Sequence, residues 1–203
     1  MGADLDMSAP QVIEELDRWG KWYLETTGID GFRLDAVKHI RFAFFTHWLQ
    51  KLRRESGRPL PAIGEYWKDD LGSLTYYLDQ CGQVMRLFDV PLHHRFHHLS
   101  NAGGGMDLRS LFRGTLAGTR PDQAVTFADW CKPLAYASIL LRQDGTPCVF
   151  YGDLYGIPHD GIPPVAELPK LLLARKFCAW GQQTDYLDDP DTIGWVRRGE
   201  DTA

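Results

Sequence analysis

The sequence predicts an α/β fold in which parallel strands alternate with helices. Short apolar runs recur along the chain, and longer amphipathic segments separate them. This alternation is typical of βαβ units, which pair their strands in parallel. A closed (β/α)8 barrel needs eight strands, so we expect residues 1–203 to form one domain that is part of such a barrel. Five strands are predicted before the last helix: residues 31–35, 61–65, 84–90, 124–127 and 147–151.

The first helix is predicted from its start signal and from its apolar spacing. Ser8 and Gln11 match a capping box, and Pro10 suits the first turn. Gly28 is a suitable residue to end the helix. Apolar residues recur between these points at helical spacing: Val12, Ile13, Leu16, Trp19 and Tyr23.

Apolar periodicity also places the remaining helices. The segment from His39 to about Arg54 carries aromatic and aliphatic residues on one face, and Gly57 closes it. One more strand is predicted over residues 192–197, after the last helix. Further helices are predicted over residues 71–80, 106–116, 130–142 and 167–178.

Composition and charge narrow the classes of partner. The net charge is −5 and the isoelectric point is near 5.8, with Lys and Arg scattered, so neither nucleic acid nor a membrane is an expected partner. The N-terminus lacks a basic region followed by an apolar run, so we expect no signal peptide and either a cytoplasmic protein or a fragment of a secreted one. The four cysteines form no CxxC pair and are expected to be free, mostly buried thiols.

Two carboxylates stand at equivalent places in the first two predicted strands. Asp35 ends the strand 31–35, and Glu65 ends the strand 61–65. Barrel enzymes place their catalytic residues at the carboxyl ends of the strands. Glycoside cleavage with retention of configuration requires two such carboxylates, of which one attacks and the other protonates the leaving oxygen. Arg33 shares the strand face of Asp35, so its guanidinium is expected to hold Asp35 in the ionised form.

Five motifs around these residues are long and specific. They read GFRLDAVKH at 31–39, GEYW at 64–67, LFDVPLH at 87–93, KPLAYASILLR at 132–142 and PCVFYGDLYGIP at 147–158. In these motifs the chain resembles the α-amylase family of glycoside hydrolases, specifically the liquefying, calcium-dependent bacterial type. The resemblance implies endo-hydrolysis of α-1,4-glucosidic bonds in starch or glycogen by a retaining mechanism, with an α-glucan polysaccharide as the partner. It also implies that the chain covers roughly strands 4 to 8 of a (β/α)8 barrel.

The resemblance assigns roles to individual residues. It implies that Asp35 is the nucleophile and that Glu65 is the general acid/base. For Lys38 and His39, a solvated helix start remains an alternative interpretation. The substrate-binding residues that the resemblance implies are Arg33, Lys38, His39 and Trp67.

The same resemblance implies a calcium cofactor. Asp4 and the backbone carbonyl of His39 would bind the ion, and Asp6 matches a further metal position in some relatives. Carboxylates and backbone carbonyls are hard oxygen donors of the kind that calcium prefers. An exposed N-terminal segment without a metal remains the alternative interpretation for Asp4 and Asp6.

Two histidine doublets, His93–His94 and His97–His98, also suggest a metal at first sight. No carboxylate follows them at the spacing of a metal motif. We therefore expect these histidines to lie on the surface of a helix.

The chain departs from the family pattern after the predicted strand 124–127. The family carries a third acid there, in a Phe-Val-Asp-Asn-His-Asp motif, whereas this chain runs from Phe127 through Asp129 to Lys132. Asp129 can be aligned in two ways, and neither makes it the third acid. We therefore expect hydrolysis to be impaired. The alternative hypothesis is a catalytically inactive glucan-binding remnant or an incomplete gene product.

Overall fold

The computed structural model describes residues 5–103 and 105–199, and it has the expected α/β architecture. The chain divides into two compact units, Met1–Phe88 and Asp89–Ala203. Each unit contains short parallel strands that alternate with helices. The interpretation of residues 1–203 as a single partial-barrel domain stays a prediction.

In the first unit, helices precede or follow each of three parallel strands. Strand β1 pairs with β2, and β2 pairs with β3. A single 3₁₀ turn, Val37–His39, follows the first strand. The elements are α1 (Pro10–Thr27), β1 (Phe32–Leu34), α2 (Phe42–Ser56), β2 (Ala62–Gly64), α3 (Leu71–Gln80) and β3 (Arg86–Phe88).

Helices α1 and α2 pack closely because a glycine on α1 leaves room for an indole on α2. A Cβ atom at Gly20 would lie 2.8 Å from Cζ2 of Trp48, which is closer than carbon atoms can approach. The Trp48 indole nitrogen donates a hydrogen bond to the Leu16 carbonyl at 2.9 Å, so the buried ring has no unsatisfied donor. This contact covers the apolar face of α2 that the sequence periodicity predicts.

A buried carboxylate links the same two helices. Asp17 is 5% exposed, and its Oδ2 accepts hydrogen bonds from Lys51 at 2.8 Å and from the His47 ring at 3.0 Å. Burial acts to raise the pKa of Asp17, but the hydrogen bonds from Lys51 and His47 act in the opposite direction, and the net pKa is lowered. The folded unit therefore stabilises the ionised form of Asp17.

In the second unit, two parallel strands are followed by an antiparallel hairpin. Strand β4 pairs with β5 in parallel, and β6 pairs with β7 in antiparallel fashion. Leu92, Phe96, Tyr136, Ile139 and Leu168 are among the residues of the core between the helices. The elements are α4 (Val90–Asn101), α5 (Leu116–Thr119), β4 (Ala124–Thr126), α6 (Lys132–Leu141), β5 (Thr146–Pro147), α7 (Tyr151–Tyr155), α8 (Leu168–Phe177), β6 (Gln182–Asp189) and β7 (Thr192–Arg198).

The buried carboxylate of Asp89 organises the start of the second unit. It accepts backbone hydrogen bonds from Leu92 at 3.1 Å, from Leu116 at 3.0 Å and from Ala117 at 2.7 Å. Asp89 thus caps α4 and holds the first turn of α5 beside it. Burial raises the pKa of Asp89, and the three N–H donors oppose this effect.

Several predicted elements differ from the structure. The predicted helix 106–116 is a 3₁₀ turn at Leu108–Ser110 and then the short α5, because Asp107 accepts a hydrogen bond from the Arg109 N–H and forms a local turn. The predicted strand 192–197 is one arm of the β6–β7 hairpin, whose other arm was not predicted.

Two further sequence expectations were wrong. Helix α1 begins at Pro10 with Ala9 as its N-cap, so Ser8 does not cap the helix; it donates instead to Asp6. Of the four free cysteines, only Cys81 is buried, whereas Cys178 is exposed. None of the described helices is long and apolar enough to cross a membrane.

The lowered pKa of Asp17 predicts how the stability of the chain depends on pH. In the unfolded chain an Asp side chain titrates near about 3.9, so Asp17 stabilises the folded state above that pH. This contribution is lost as the pH falls through the lower folded pKa. Asp17→Asn is expected to reduce the free energy of unfolding by roughly 2 kcal/mol at pH 7 and by progressively less below pH 4.

Urea unfolding of both proteins between pH 7 and pH 3 measures this difference. Glu14→Gln is the matched control, because Glu14 is an exposed carboxylate on the same helix. The control is expected to change stability by less than about 0.5 kcal/mol. A difference between Asp17→Asn and the parent that stays constant over the whole pH range would contradict the assignment.

Candidate active site

The parallel pairing of β1 and β2 brings the two predicted catalytic carboxylates to one end of the sheet. Leu34 lies opposite Gly64 in the register, and Asp35 and Glu65 are the next residues of their chains. The Glu65 N–H donates to the Leu34 carbonyl at 2.8 Å, which continues the pairing to the end of the strands. Both carboxylates therefore follow the carboxyl ends of neighbouring parallel strands, as the sequence predicts.

A single guanidinium joins the two carboxylates. Nη1 of Arg33 lies 3.0 Å from Oδ1 of Asp35, and Nη2 lies 2.8 Å from Oε2 of Glu65. The Asp35 side chain is 75% exposed, whereas that of Glu65 is only 23% exposed. The ion pair that strand parity predicts between Arg33 and Asp35 is present, and the second contact, to Glu65, was not predicted from the sequence.

The backbone after Asp35 turns sharply and returns to the second strand. Ala36 has a φ of 45° in the left-handed region, and a 3₁₀ turn starts at Val37. The Val37 N–H donates to the Glu65 carbonyl at 3.0 Å. A left-handed conformation is uncommon for a residue other than Gly, Asn or Asp, and such strain is often found at functional sites. The turn fixes the segment that carries Lys38.

The structure places two of the predicted substrate-binding residues in contact with each other. The Lys38 ammonium donates a hydrogen bond to the backbone carbonyl of Trp67 at 3.0 Å. The Trp67 side chain is 42% exposed and can offer an indole face to a ligand. His39 ends the 3₁₀ turn and is exposed. Substrate binding by Arg33, Lys38, His39 and Trp67 stays a prediction.

The described residues contain no cluster of three or more side chains that could hold a metal ion by themselves. Within residues 5–103 and 105–199, no three His, Cys, Asp or Glu side chains are grouped so that they could hold a metal ion. Oδ1 of Asp6 instead accepts hydrogen bonds from the Ser8 hydroxyl at 2.6 Å and from the Ser8 N–H at 2.9 Å, and these bonds lower the pKa of Asp6. Asp4 lies outside the described residues. The calcium cofactor therefore stays a prediction of the resemblance.

An aspartate and a histidine form an ion pair in the second unit, beyond the end of β4. The Asp129 carboxylate is 3.3 Å from Nδ1 of His93, and the His93 ring stacks on Phe127 at a centroid distance of 4.9 Å. Hydrogen bonding to His93 lowers the pKa of Asp129. The prediction that His93 lies on a helix surface is wrong, because its side chain is buried. The signal that could have located it is its position four residues after Asp89, on the first turn of α4.

Helix α6 and the segment after β5 are joined by a buried acid that was not predicted from the sequence. Asp153 is fully buried, accepts a hydrogen bond from the Tyr136 hydroxyl at 2.6 Å and pairs with the Lys132 ammonium. Burial raises the pKa of Tyr136, and its hydrogen bond to Asp153 adds to this effect. All three residues belong to the KPLAYASILLR and PCVFYGDLYGIP motifs, so part of those motifs serves this buried network.

No family model matches the chain. Individual relatives do. The chain is 50% identical over 216 residues to an α-amylase of Geobacillus stearothermophilus, covering 98% of this chain and 39% of that protein. It is 38% identical to the cytoplasmic α-amylase of Escherichia coli K12, covering 99% of this chain and 46% of that protein. The chain is a homologue of α-amylase family glycoside hydrolases. This confirms the resemblance that the motifs indicate.

A solved α-amylase shares the fold. The structure of the Geobacillus thermoleovorans enzyme in complex with acarbose superposes with a TM-score of 0.75 at 20% identity, over 98% of this chain and 52% of that chain. The chain thus spans less than half the length of the curated α-amylases above and about half of the solved one. This coverage agrees with a partial (β/α)8 barrel.

The lengths of the alignments also bear on the departure after Phe127. The alignment to the G. stearothermophilus α-amylase runs over 216 positions, more than the 203 residues of this chain. That relative therefore has residues within the aligned region that this chain lacks. That some of these residues belong between β4 and α6 stays a prediction of the motif comparison.

The composition of the site predicts weak calcium binding. No three His, Cys, Asp or Glu side chains are grouped to hold a metal among the described residues, whereas calcium prefers six to eight oxygen ligands. Titration calorimetry on chelator-treated protein is expected to give a dissociation constant weaker than about 10⁻³ M. Asp6→Asn is expected to leave the titration unchanged. Micromolar binding that Asp6→Asn weakens would show that Asp6 leaves Ser8 to bind the metal.

Proposed function

We propose that this chain carries the catalytic carboxylate pair of a retaining hydrolase of α-1,4-glucosidic bonds, with Asp35 as nucleophile and Glu65 as general acid/base. The observation that carries the proposal is the bridge that Arg33 makes between the two carboxylates at the ends of β1 and β2. The relatives support it, since they are named α-amylases and one solved relative is in complex with acarbose.

The contacts of Arg33 indicate which oxygen atoms would react. A guanidinium has hydrogen-bond donors and no acceptor, so the oxygen atoms that face it carry no proton. Oδ1 of Asp35 is held by Arg33, which leaves Oδ2 to attack the anomeric carbon. Oε2 of Glu65 is held in the same way, which leaves Oε1 to carry the proton for the leaving oxygen.

Asp35 and Glu65 together account for every bond and every proton transfer of the reaction. Oδ2 of Asp35 forms a bond to the anomeric carbon as the glycosidic bond breaks, and Glu65 transfers its proton to the departing oxygen. Glu65 then removes a proton from water, whose oxygen displaces Asp35 and completes hydrolysis with retention. Competent retaining sites hold the carboxyl groups roughly 5–5.5 Å apart, and the shared guanidinium is suited to keep them close.

The remaining predicted residues would bind the glucan. Lys38 and His39 follow the nucleophile on the 3₁₀ turn, and Lys38 anchors the backbone of Trp67. The exposed indole of Trp67 offers a flat apolar face on which a sugar ring can stack. If calcium is bound as the resemblance implies, Asp4, Asp6 and the backbone carbonyl of His39 would contribute to its ligand set.

We propose further that turnover by this chain is impaired. The third-acid motif is absent after Phe127, and the chain spans less than half of its curated relatives. The exposed Asp129 lies beyond β4, but its carboxylate already forms an ion pair with the buried His93. Contacts that strengthen in the transition state each raise a rate by roughly ten- to a thousandfold. The loss of several such contacts is therefore expected to reduce the rate of hydrolysis strongly.

Starch hydrolysis tests the proposal. In a reducing-sugar assay, the purified chain is expected to be at least roughly 10⁴-fold slower than the G. stearothermophilus α-amylase under the same conditions. The residual turnover is expected to disappear in Asp35→Asn, because the amide is a poor nucleophile. Asp69→Asn is the control, since Asp69 is an exposed acid on the segment after β2.

The outcomes separate the two hypotheses of function. Residual turnover that Asp35→Asn removes and Asp69→Asn leaves intact supports an impaired hydrolase. Retardation in a starch-containing gel without any turnover supports a glucan-binding remnant. Turnover that survives Asp35→Asn would contradict the assigned nucleophile, and a rate equal to that of the relative would contradict the impairment.

A further inference from the structure

Helix α4 carries four histidines, which form two pairs of residues four positions apart. One pair is His93 and His97, and the other is His94 and His98. Side chains four positions apart lie on one face of an α-helix, with Cβ atoms roughly 5–6 Å apart. At this spacing two imidazoles can bind one metal ion, as they do in helical zinc motifs. Each pair is therefore a candidate two-histidine metal site.

The first of these pairs is already engaged by other side chains. His93 is buried, its Nδ1 lies 3.3 Å from the Asp129 carboxylate, and its ring stacks on Phe127. The His97 ring contacts the Trp130 indole edge-on, at a centroid distance of 4.6 Å. A metal ion would have to displace these contacts, so the pair of His93 and His97 is the weaker candidate.

The second pair lies on the opposite side of the helix from the core. Leu92 and Phe96 of α4 are buried in the core. Two further positions turn a helix by about 200°, so His94 and His98 lie on the opposite face. His98 is exposed and His94 is half-buried. Within residues 5–103 and 105–199, neither imidazole forms a hydrogen bond or an ion pair, so their ring nitrogens are available to a ligand.

Helix α4 is held in place by contacts that do not involve this second pair. Asp89 caps its first turn. In its last turn, the Asn101 side chain donates a hydrogen bond to the His97 carbonyl at 2.8 Å. The Arg95 guanidinium donates to the Arg113 carbonyl at 3.0 Å, so its positive charge is directed toward another segment. The backbone that carries the two imidazoles is therefore fixed before a metal ion arrives, which lowers the entropic cost of binding.

We propose that His94 and His98 together bind one divalent transition-metal ion such as Ni²⁺ or Zn²⁺, with water at the remaining coordination positions. Imidazole suits these metals, whereas Ca²⁺ and Mg²⁺ prefer oxygen ligands. No three His, Cys, Asp or Glu side chains are grouped to hold a metal in the part of the chain that the structure describes. Binding is therefore expected to be reversible and weaker than at a structural zinc site with four protein ligands. The proposal goes beyond the hydrolase function, because neither histidine belongs to the proposed active site.

Titration calorimetry with nickel chloride tests the proposal. Nickel is the probe because the free thiols of the chain would compete for zinc. The chelator-treated 203-residue chain is expected to bind one Ni²⁺, and an excess of Ca²⁺ is expected not to displace it. Bound nickel is also expected to raise the urea concentration at the unfolding midpoint, because a ligand that prefers the folded state stabilises it.

Single substitutions separate this pair from the other histidines. His94→Ala and His98→Ala are each expected to weaken Ni²⁺ binding at least about tenfold, because loss of even an outer-shell partner of a metal ligand costs roughly ten- to a hundredfold. His159→Ala is the control, since His159 is an exposed histidine outside α4, and it is expected to change the affinity less than about twofold. His98 is exposed, so His98→Ala keeps the test decisive should His94→Ala fail to fold.

Each outcome decides the proposal. One Ni²⁺ per chain, bound more weakly by the His94→Ala and His98→Ala variants but not by the His159→Ala variant, supports it. The absence of nickel binding, or binding that either α4 substitution leaves unchanged, would overturn it. Binding that His97→Ala removes and His94→Ala leaves unchanged would likewise overturn it, by placing the ion on the other pair. The titration contains no starch, so its result is independent of the proposed hydrolase function.

Discussion

The parallel register between β1 and β2 is the constraint on which the candidate site depends. It sets Leu34 opposite Gly64, so the residues that follow, Asp35 and Glu65, emerge at the same end of the sheet. Gly64 also allows the segment before β3 to pack closely, because a Cβ atom there would lie 2.7 Å from Sδ of Met85. A one-residue shift would turn one carboxylate to the opposite face. The Arg33 bridge therefore depends on the register.

The alternation of residues along a strand predicted the arrangement of side chains at the end of β1. Strand parity placed Arg33 and Asp35 on one face, and the structure joins them. Parity could not predict the second contact of Arg33, to Glu65, because that contact depends on how two strands distant in sequence pair. The same limit explains why β6 was missed: its strand Gln182–Asp189 is largely exposed and polar, and its partner supplies the backbone hydrogen bonds that define it.

Caps and turns were predicted less well than strands and helices. The Ser8 pattern matched a capping box, but Asp6 is close enough to accept both Ser8 donors and shifts the helix start to Pro10. In the same way, Asp107 forms a turn where periodicity favoured a helix. Asp and Ser compete for nearby backbone N–H groups, and this competition is not visible in apolar periodicity.

Arg33 contacts both proposed catalytic carboxylates, although one is proposed to attack without a proton and the other to donate one. In the proposed reaction, Oδ1 of Asp35 and Oε2 of Glu65 face the guanidinium, which leaves Oδ2 of Asp35 to attack and only Oε1 of Glu65 to carry the proton of the general acid. A substrate that draws Glu65 toward the glycosidic oxygen would break the second contact and keep the first.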